Sequence, residues 1–383
     1  MWCISPDIIL LVGILQIITA KHGEIHTKEA RMMDHEITVH DNVSVADGVS
    51  KPANERKSDI KSMTDYLPMY LDAILSGTRE SAISTGFAGL DKALYGGLYP
   101  GLYVMGAISS LGKTTLACQI ADQIAAAGWP VLIFSLEMAR KEIFSKSLSR
   151  LSAVSKMIGQ SETVLTARDL LNASTASADI HALIKTLFDV YNRISANIYI
   201  HEGIGDINVK TIRRLVEKFS KEHQKTPVVI IDYIQILAPN ENRTVSDKQN
   251  MDKSVLELKR LSRDLDAVVV GITRLNRMSY NDVITMGAFK ESGAIEYSAD
   301  VLIGLQLAGV GADKFDVVRA KQENPRKIEI KVLKNRNGPV VPSYLMHYYP
   351  ADNLFVEASA KSDASPLEKL FDSLHQQELP FPD

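Results

Sequence analysis

The stretch LYVMGAISSLGKTTLACQIADQIAAAG, residues 102–128, decides the fold. Leu102 to Met105 is a run of apolar strand-formers, and from Thr115 to Ala127 the apolar residues Leu116, Ile120 and Ile124 recur along one helical face. Between them, Ala107-Ile-Ser-Ser-Leu-Gly112-Lys113-Thr114 has the spacing of a phosphate-binding loop, with Ala standing at its first position instead of Gly. Successive backbone N–H groups of such a loop, here from Ala107 through Ser109, Ser110, Leu111 and Gly112 to Thr115, cradle phosphate oxygens. The Lys113 ammonium then neutralises the β- and γ-phosphates, and the Thr114 hydroxyl ligates Mg²⁺. The helix that follows points its partial positive charge at the phosphates, and Gly128 stops it.

Outward from this loop, apolar runs alternate with helical stretches: VLIFSL (131–136), ANIYIHE (196–202), VVIID (228–232), AVVVGIT (267–273), VLIGLQL (301–307) and IEIKVLK (328–334). Such alternation predicts an α/β domain, about Ser84 to Glu357, with a mostly parallel central sheet flanked by helices. Parallel strands deliver their C-terminal ends to one crevice. Asp232 therefore either holds the Mg²⁺ shell there or merely ends a strand. Glu137, just past the strand Val131 to Phe134, is either a general base acting on water or a surface residue opening the next helix beside Arg140 and Lys141. His201 and Glu202 read as a strand terminus, and the charges of Asp247 to Asp266 as the solvated face of a helix with Val255, Leu258, Leu261 and Leu265 inward.

Composition narrows the classes. With 383 residues the chain suffices for one large or two modest domains. Its 43 Lys and Arg against 46 Asp and Glu argue against coating of nucleic acid by overall basicity. Cys3 and Cys118 stand far apart without ligand spacing, so the expectation is a reducing, cytoplasmic protein with no disulfide framework or zinc site. Residues 1–62 read as an apolar stretch and a polar linker. Ile8 to Ala20 is short of the roughly 20 residues that span a bilayer, and MWCISPD lacks the basic start of a signal peptide, so no stable membrane association is expected. Residues 63–83 read as a linker helix with Tyr66, Leu67, Tyr70, Leu71, Ile74 and Leu75 at helical spacing and Gly77 as its stop, and residues 358–383 read as a tail.

Seven blocks occur in order: STGFAGLDKALYGGLYPG (84–101), AISSLGKTT (107–115), FSLEM (134–138), IDYIQIL (231–237), LNR (275–277), KESGAIEYSADV (290–301) and KNRNGP (334–339). They resemble the RecA-like motor domain of DnaB-type replicative DNA helicases, and their wording is similar to helicase-like proteins of phages and mobile elements. The resemblance implies a RecA-like P-loop ATPase: an ATP-hydrolysing helicase that moves along single-stranded DNA during replication as a ring, a hexamer, with a primase as partner. It implies Glu137 as catalytic base, and Lys334 with Arg336 as a cation pair reaching the neighbouring subunit's γ-phosphate. Lys290, Glu291 and Gly293 would lie on a DNA-binding loop; as a free-standing motif, KESG would be only a polar turn before a helix.

From the residues alone, Glu323 to Pro339 holds five cations (Arg326, Lys327, Lys331, Lys334, Arg336) against two anions (Glu323, Glu329), which also suits a solvated edge strand. Two departures from the family stand out. The family commonly carries Ser-Gln before Leu-Asn-Arg, whereas here the pair is Thr273-Arg274, so a guanidinium takes the place of the amide that senses the γ-phosphate. Residues 1–83 also show no helical N-terminal domain of the replicative type. Asn276 and Arg277 either support the nucleotide site or end a strand. The alternative function within the same fold is an ATP-switched DNA-binding filament or recombination mediator that opens no duplex.

Overall fold

The computed structural model of the chain describes residues 62–75, 82–203, 206–239, 246–275, 282–289, 293–358 and 364–375. The chain divides into two units, Met1–Tyr70 and Leu71–Asp383. Helix α1 (Met63–Leu75) crosses that boundary, and its first turn is capped by the Asp65 carboxylate, which accepts from the Ser62 N–H at 2.9 Å. The expectations for Lys290, Glu291, Asn276, Arg277 and the apolar stretch Ile8 to Ala20 lie outside the described residues.

The second unit is built on one nine-stranded sheet: β1 (Gly101–Ala107), β2 (Val131–Ser135), β3 (Ile198–Glu202), β4 (Val228–Asp232), β5 (Val268–Arg274), β6 (Val301–Leu307), β7 (Arg326–Asn335), β8 (Tyr344–Tyr349) and β9 (Leu354–Glu357). Their spatial order is β3-β2-β4-β5-β1-β6-β7-β8-β9. The strands from β3 across to β6 run parallel, and β7, β8 and β9 continue the sheet antiparallel. The parallel, doubly flanked sheet expected from the alternating runs is therefore present.

Helices cover both faces, which is why β1, β2, β4 and β6 are buried along their whole length and read as unbroken apolar runs. Side chains alternate between the faces. Tyr103, Met105 and Ala107 join a core with α3 (Lys113–Ala126), α4 (Arg140–Met157) and α6 (Ala178–Ser195). Leu102 and Val104 join another with α7 (Val209–His223), α8 (Asp247–Asp264) and α9 (Gly293–Ser298). The short helices α2 (Ala88–Ala93), α5 (Ala167–Leu171) and α10 (Val317–Gln322) complete the unit up to residue 358.

Two features of the C-terminal part differ from the expectation. Strands β8 and β9 carry the sequences YLMHYY and LFVE, in which apolar and polar residues do not alternate, although in β8 the buried Met346 and Tyr348 alternate with half-buried neighbours. Gln119 of α3 holds β9 at two points: it donates to the Phe355 carbonyl at 2.9 Å and accepts from the Phe355 N–H at 2.8 Å. The segment read as a tail contains a helix, α11 (Pro366–His375), started by a reciprocal Ser365–Glu368 capping pair and anchored by Leu367 and Phe371, which are fully buried. Leu367, Leu370, Phe371 and Leu374 stand at helical spacing, so both the apolar stripe and the cap were legible in the sequence.

Candidate functional site

The C-terminal ends of β1, β2, β4 and β5 meet at a cleft of about 520 Å³ lined by the residue 109–114 loop, Glu137, Asp232, Arg274, Lys146, Arg326 and Tyr348. The loop between β1 and α3 turns through two left-handed residues, Ser110 at φ 68° and Gly112 at φ 85°. Gly112 is also where the loop passes over the Tyr348–Phe355 stack: a Cβ there would lie 2.8 Å from Phe355 and 2.9 Å from Tyr348. Both constraints call for glycine. The bend turns the loop N–H groups and the N-terminus of α3 into an anion cradle.

Lys113 Nζ donates to the Ala107 carbonyl at 2.9 Å and to the Ile108 carbonyl at 3.3 Å. Burial, then the neighbouring Arg274 guanidinium, push its pKa down to about 8, against the pull of Asp232 and Glu137. A cation held so far below its usual range is poised to gain from an incoming polyanion. Asp232, at the end of β4, is buried and accepts a hydrogen bond from the Thr114 hydroxyl; burial raises its pKa, the Thr114 bond opposes the rise, and Glu137 adds to it. Thr114 and Asp232 thus present a hydroxyl and a carboxylate side by side, hard oxygen donors of the kind Mg²⁺ takes together with water and phosphate oxygens. The donor set fits the ion.

Glu137 stands just past β2 and pairs with Arg274 at the end of β5, Nη2 to Oε1 2.7 Å, with both side chains about half exposed. The Arg274 guanidinium lies over the Tyr233 ring, 4.4 Å from its centroid. Sequence reasoning missed three lining residues. Lys146 reaches the cleft from α4 and donates to Asn353 at 2.9 Å, with burial lowering its pKa. Arg326 donates to the Ser110 carbonyl at 2.8 Å, and Tyr348 stacks on Phe355 with ring centroids 4.3 Å apart. Arg326 and Tyr348 come from the antiparallel strands, more than 200 residues beyond the loop, and no local spacing announces them. Gln235 lay within a quoted block and had a findable role: its amide donates to the Thr273 hydroxyl at 2.6 Å, fastening the end of β5 to the segment after β4.

The sequence profile of the DnaB-like helicase C-terminal domain matches residues 82–353. The chain belongs to that family. Curated relatives of this DnaB-like domain include the replicative DNA helicase DnaB of Geobacillus stearothermophilus, 28% identical over 264 residues that cover 68% of this chain and 53% of the relative. The DnaB of Pasteurella multocida is 29% identical over 267 residues, 68% and 52% of the two chains. The chain thus spans about half the length of the curated relatives it matches. Among solved structures, one described as an ATPase domain superposes with a TM-score of 0.64 at 24% identity, over 79% of this chain and 100% of that one. The structure of a DnaB-like replicative helicase and its interactions with primase superposes with a TM-score of 0.62 at 23% identity, over 78% and 67%. These likenesses agree with the RecA-like fold read from the blocks.

Within this DnaB-like domain the structure does not bring Lys334 and Arg336 into the cleft. β7 runs antiparallel to β6, and Lys334 pairs with Leu302 near the start of β6, whereas Arg326 at the other end of β7 touches the phosphate loop. Lys334 donates to the Glu296 carbonyl at 2.7 Å, and Arg336 to the Tyr297 carbonyl at 2.6 Å and to Asp300 at 3.4 Å. Burial and the nearby Arg336 lower the Lys334 pKa. Gly293 opens α9, the helix whose last carbonyls those two cations hold. Among the described residues no helix is long and apolar enough to cross a membrane.

Proposed function

We propose that this chain is the ATP-driven motor of a replicative DNA helicase, working in the cytoplasm as a hexameric ring on single-stranded DNA. The observation that carries the reading is a separation: Lys113, Thr114, Asp232 and Glu137 converge on one cleft at the C-terminal ends of the parallel strands, while Lys334 and Arg336 stand at the opposite end of the strands, level with the start of β6. Lys334 and Arg336 therefore serve the cleft of a second copy, and head-to-tail repetition of that contact gives a ring where the rotation closes. The loop N–H groups and Lys113 bind the phosphates, Thr114 and Asp232 hold Mg²⁺, and Arg326 with Tyr348 flanks the nucleobase. Glu137 takes the proton of the attacking water. Mg²⁺ supplies charge neutralisation to the transferring phosphoryl group. Lys334 and Arg336 of one protomer then stabilise the developing charge in its neighbour's cleft.

DNA contact is assigned to Lys290 and Glu291, which precede α9 in sequence, and to Gly293, which opens it; Lys334 and Arg336 grip the last turn of the same helix. Nucleotide turnover at the interface would thereby reach the DNA contacts. A primase-class partner belongs to the same reading, in keeping with the solved structure of similar fold that is described with primase. The test is strand displacement on a forked duplex with ATP and Mg²⁺. The expected outcome is unwinding by the native chain, none by Lys113→Ala, which loses nucleotide binding, and none by Glu137→Gln, which binds nucleotide without hydrolysing it. ATP hydrolysis with the fork left closed would favour the nucleotide-switched filament instead, and full turnover by Glu137→Gln would remove the base assignment.

A further inference from the structure

Two cations of the cleft, Lys113 and Arg274, rest on acceptors of the protein itself. Lys113 donates to the Ala107 and Ile108 carbonyls, and Arg274 to Glu137. The Arg274–Glu137 pair spans the mouth of the cleft: Glu137 follows β2, Arg274 ends β5, and β4, with Asp232 and Tyr233 at its end, lies between them. Three features aim the guanidinium across this gap. It lies over the Tyr233 ring, Gln235 fastens the Thr273 hydroxyl behind it, and the Ala107–Arg274 pairing sets its backbone level with the start of the phosphate loop. An amide at position 274 could not form this ion pair. An exposed arginine on an unrelated surface carboxylate would also lack the phosphate cradle beside it.

The geometry points to Arg274 as a positioning residue that holds the Glu137 carboxylate until a nucleoside triphosphate arrives and then releases it by moving to the terminal phosphate. The guanidinium holds the carboxylate through Oε1 and so fixes the direction in which the group points, away from the place of the attacking water. A γ-phosphate in the cradle offers that guanidinium a more highly charged, bidentate acceptor, so it exchanges partners and the carboxylate turns to the water. A diphosphate ends short of that position and leaves the pair closed. Charge balance is kept throughout, since one anion replaces another at the same cation and no bond to carbon, oxygen or phosphorus changes. The base is therefore aimed at the water when the triphosphate is present. This device rests on the reading of the cleft as an ATP site with Glu137 as base.

The latch is read by binding alone, through a cycle of four proteins: the native chain, Glu137→Gln, Arg274→Gln and the double variant. Each is titrated with a non-hydrolysable ATP analogue plus Mg²⁺ and, separately, with ADP plus Mg²⁺. If Arg274 must leave Glu137 to bind the γ-phosphate, Glu137→Gln frees it and tightens the analogue. The gain is up to roughly five-fold, the measured strength of a half-exposed ion pair. The same substitution made on top of Arg274→Gln gains clearly less, whereas with ADP the effect of Glu137→Gln is the same with and without Arg274, and retained ADP binding shows that each variant keeps its cleft. Arg274→Lys, which keeps a cation for Glu137, restores part of the coupling, an outcome that a merely structural arginine would not give. Equal tightening of the analogue with and without Arg274 overturns the latch while leaving the ATP site intact. Failure of the native chain to bind either nucleotide overturns the ATP-site reading, and the latch with it.

Discussion

Arg336→Ala should leave a protomer able to bind ATP but unable to complete its neighbour's site. Arg326, at one end of β7, contacts the phosphate loop, and Arg336 lies ten residues further along an extended strand. At about 3.3 Å per residue the separation is roughly 30 Å, several times the length of an arginine side chain, so Arg336 cannot serve its own nucleotide. Folding should survive. Arg336 is half exposed, and Asp300 keeps Lys259 as a partner at 2.6 Å, so the stability loss is held to about 1 kcal/mol. Turnover, by contrast, should fall by about 10³–10⁵, the usual worth of an arginine supplied to a transferring phosphoryl group. The assay is steady-state ATPase alone and in mixtures with Lys113→Ala. In an equimolar random ring about a quarter of the interfaces join an intact loop to an intact Arg336, so activity should return towards about a quarter of native where sites fire independently. A finger acting within its own subunit gives no recovery, because every protomer carries a defect. ATPase at the native rate by pure Arg336→Ala protein would refute the assignment.

Further consequences can be measured on the same protein. Lys113 has its pKa lowered to about 8, and bound phosphate restores its charge. Binding should therefore take up close to one proton near pH 9, seen in calorimetry as a dependence on buffer ionisation enthalpy, and affinity should fall as pH rises through 8 by at most about ten-fold per unit. A flat affinity from pH 7 to 10 would contradict this. The unfolded chain binds that proton up to about 10.5, so the same group should make the protein without nucleotide gain stability between pH 8 and 10.5. Gly112→Ala should cost about 1–3 kcal/mol in a denaturant titration, since the residue sits at φ 85° and its Cβ would press on the Tyr348–Phe355 stack; unchanged stability would mean that the loop relaxes freely. Helix α1 exposes Tyr66, Leu67, Tyr70, Leu71 and Ile74, and this apolar face is expected to dock on a second copy. Deleting residues 63–77 should abolish the ring in light scattering while leaving nucleotide binding, and a ring of unchanged mass would refute the docking role.

Much of this protein is legible in its residues alone. The strand, loop and helix of residues 102–128 follow one another along the chain, so hydrophobic spacing and one Gly-Lys-Thr triplet suffice to place the phosphate cradle at the end of β1. Asp232 and Glu137 are readable for a related reason: each lies at or just past the C-terminal end of an apolar run, and parallel strands align such ends. The blocks from Ser84 to Pro339 led to the family to which the chain belongs. What lay beyond the sequence was the strand order and everything that depends on it. Arg326 and Tyr348 flank the loop because β7 and β8 return antiparallel after β6, a turn of topology that no local pattern records. Glu137 meets Arg274 across 137 positions of sequence because β2 and β5 both border β4. The residues of the Gly-Lys-Thr loop are neighbours by covalent connection, whereas Arg326, Tyr348, Arg274 and Glu137 come together only through packing, and packing is decided by the whole sheet at once.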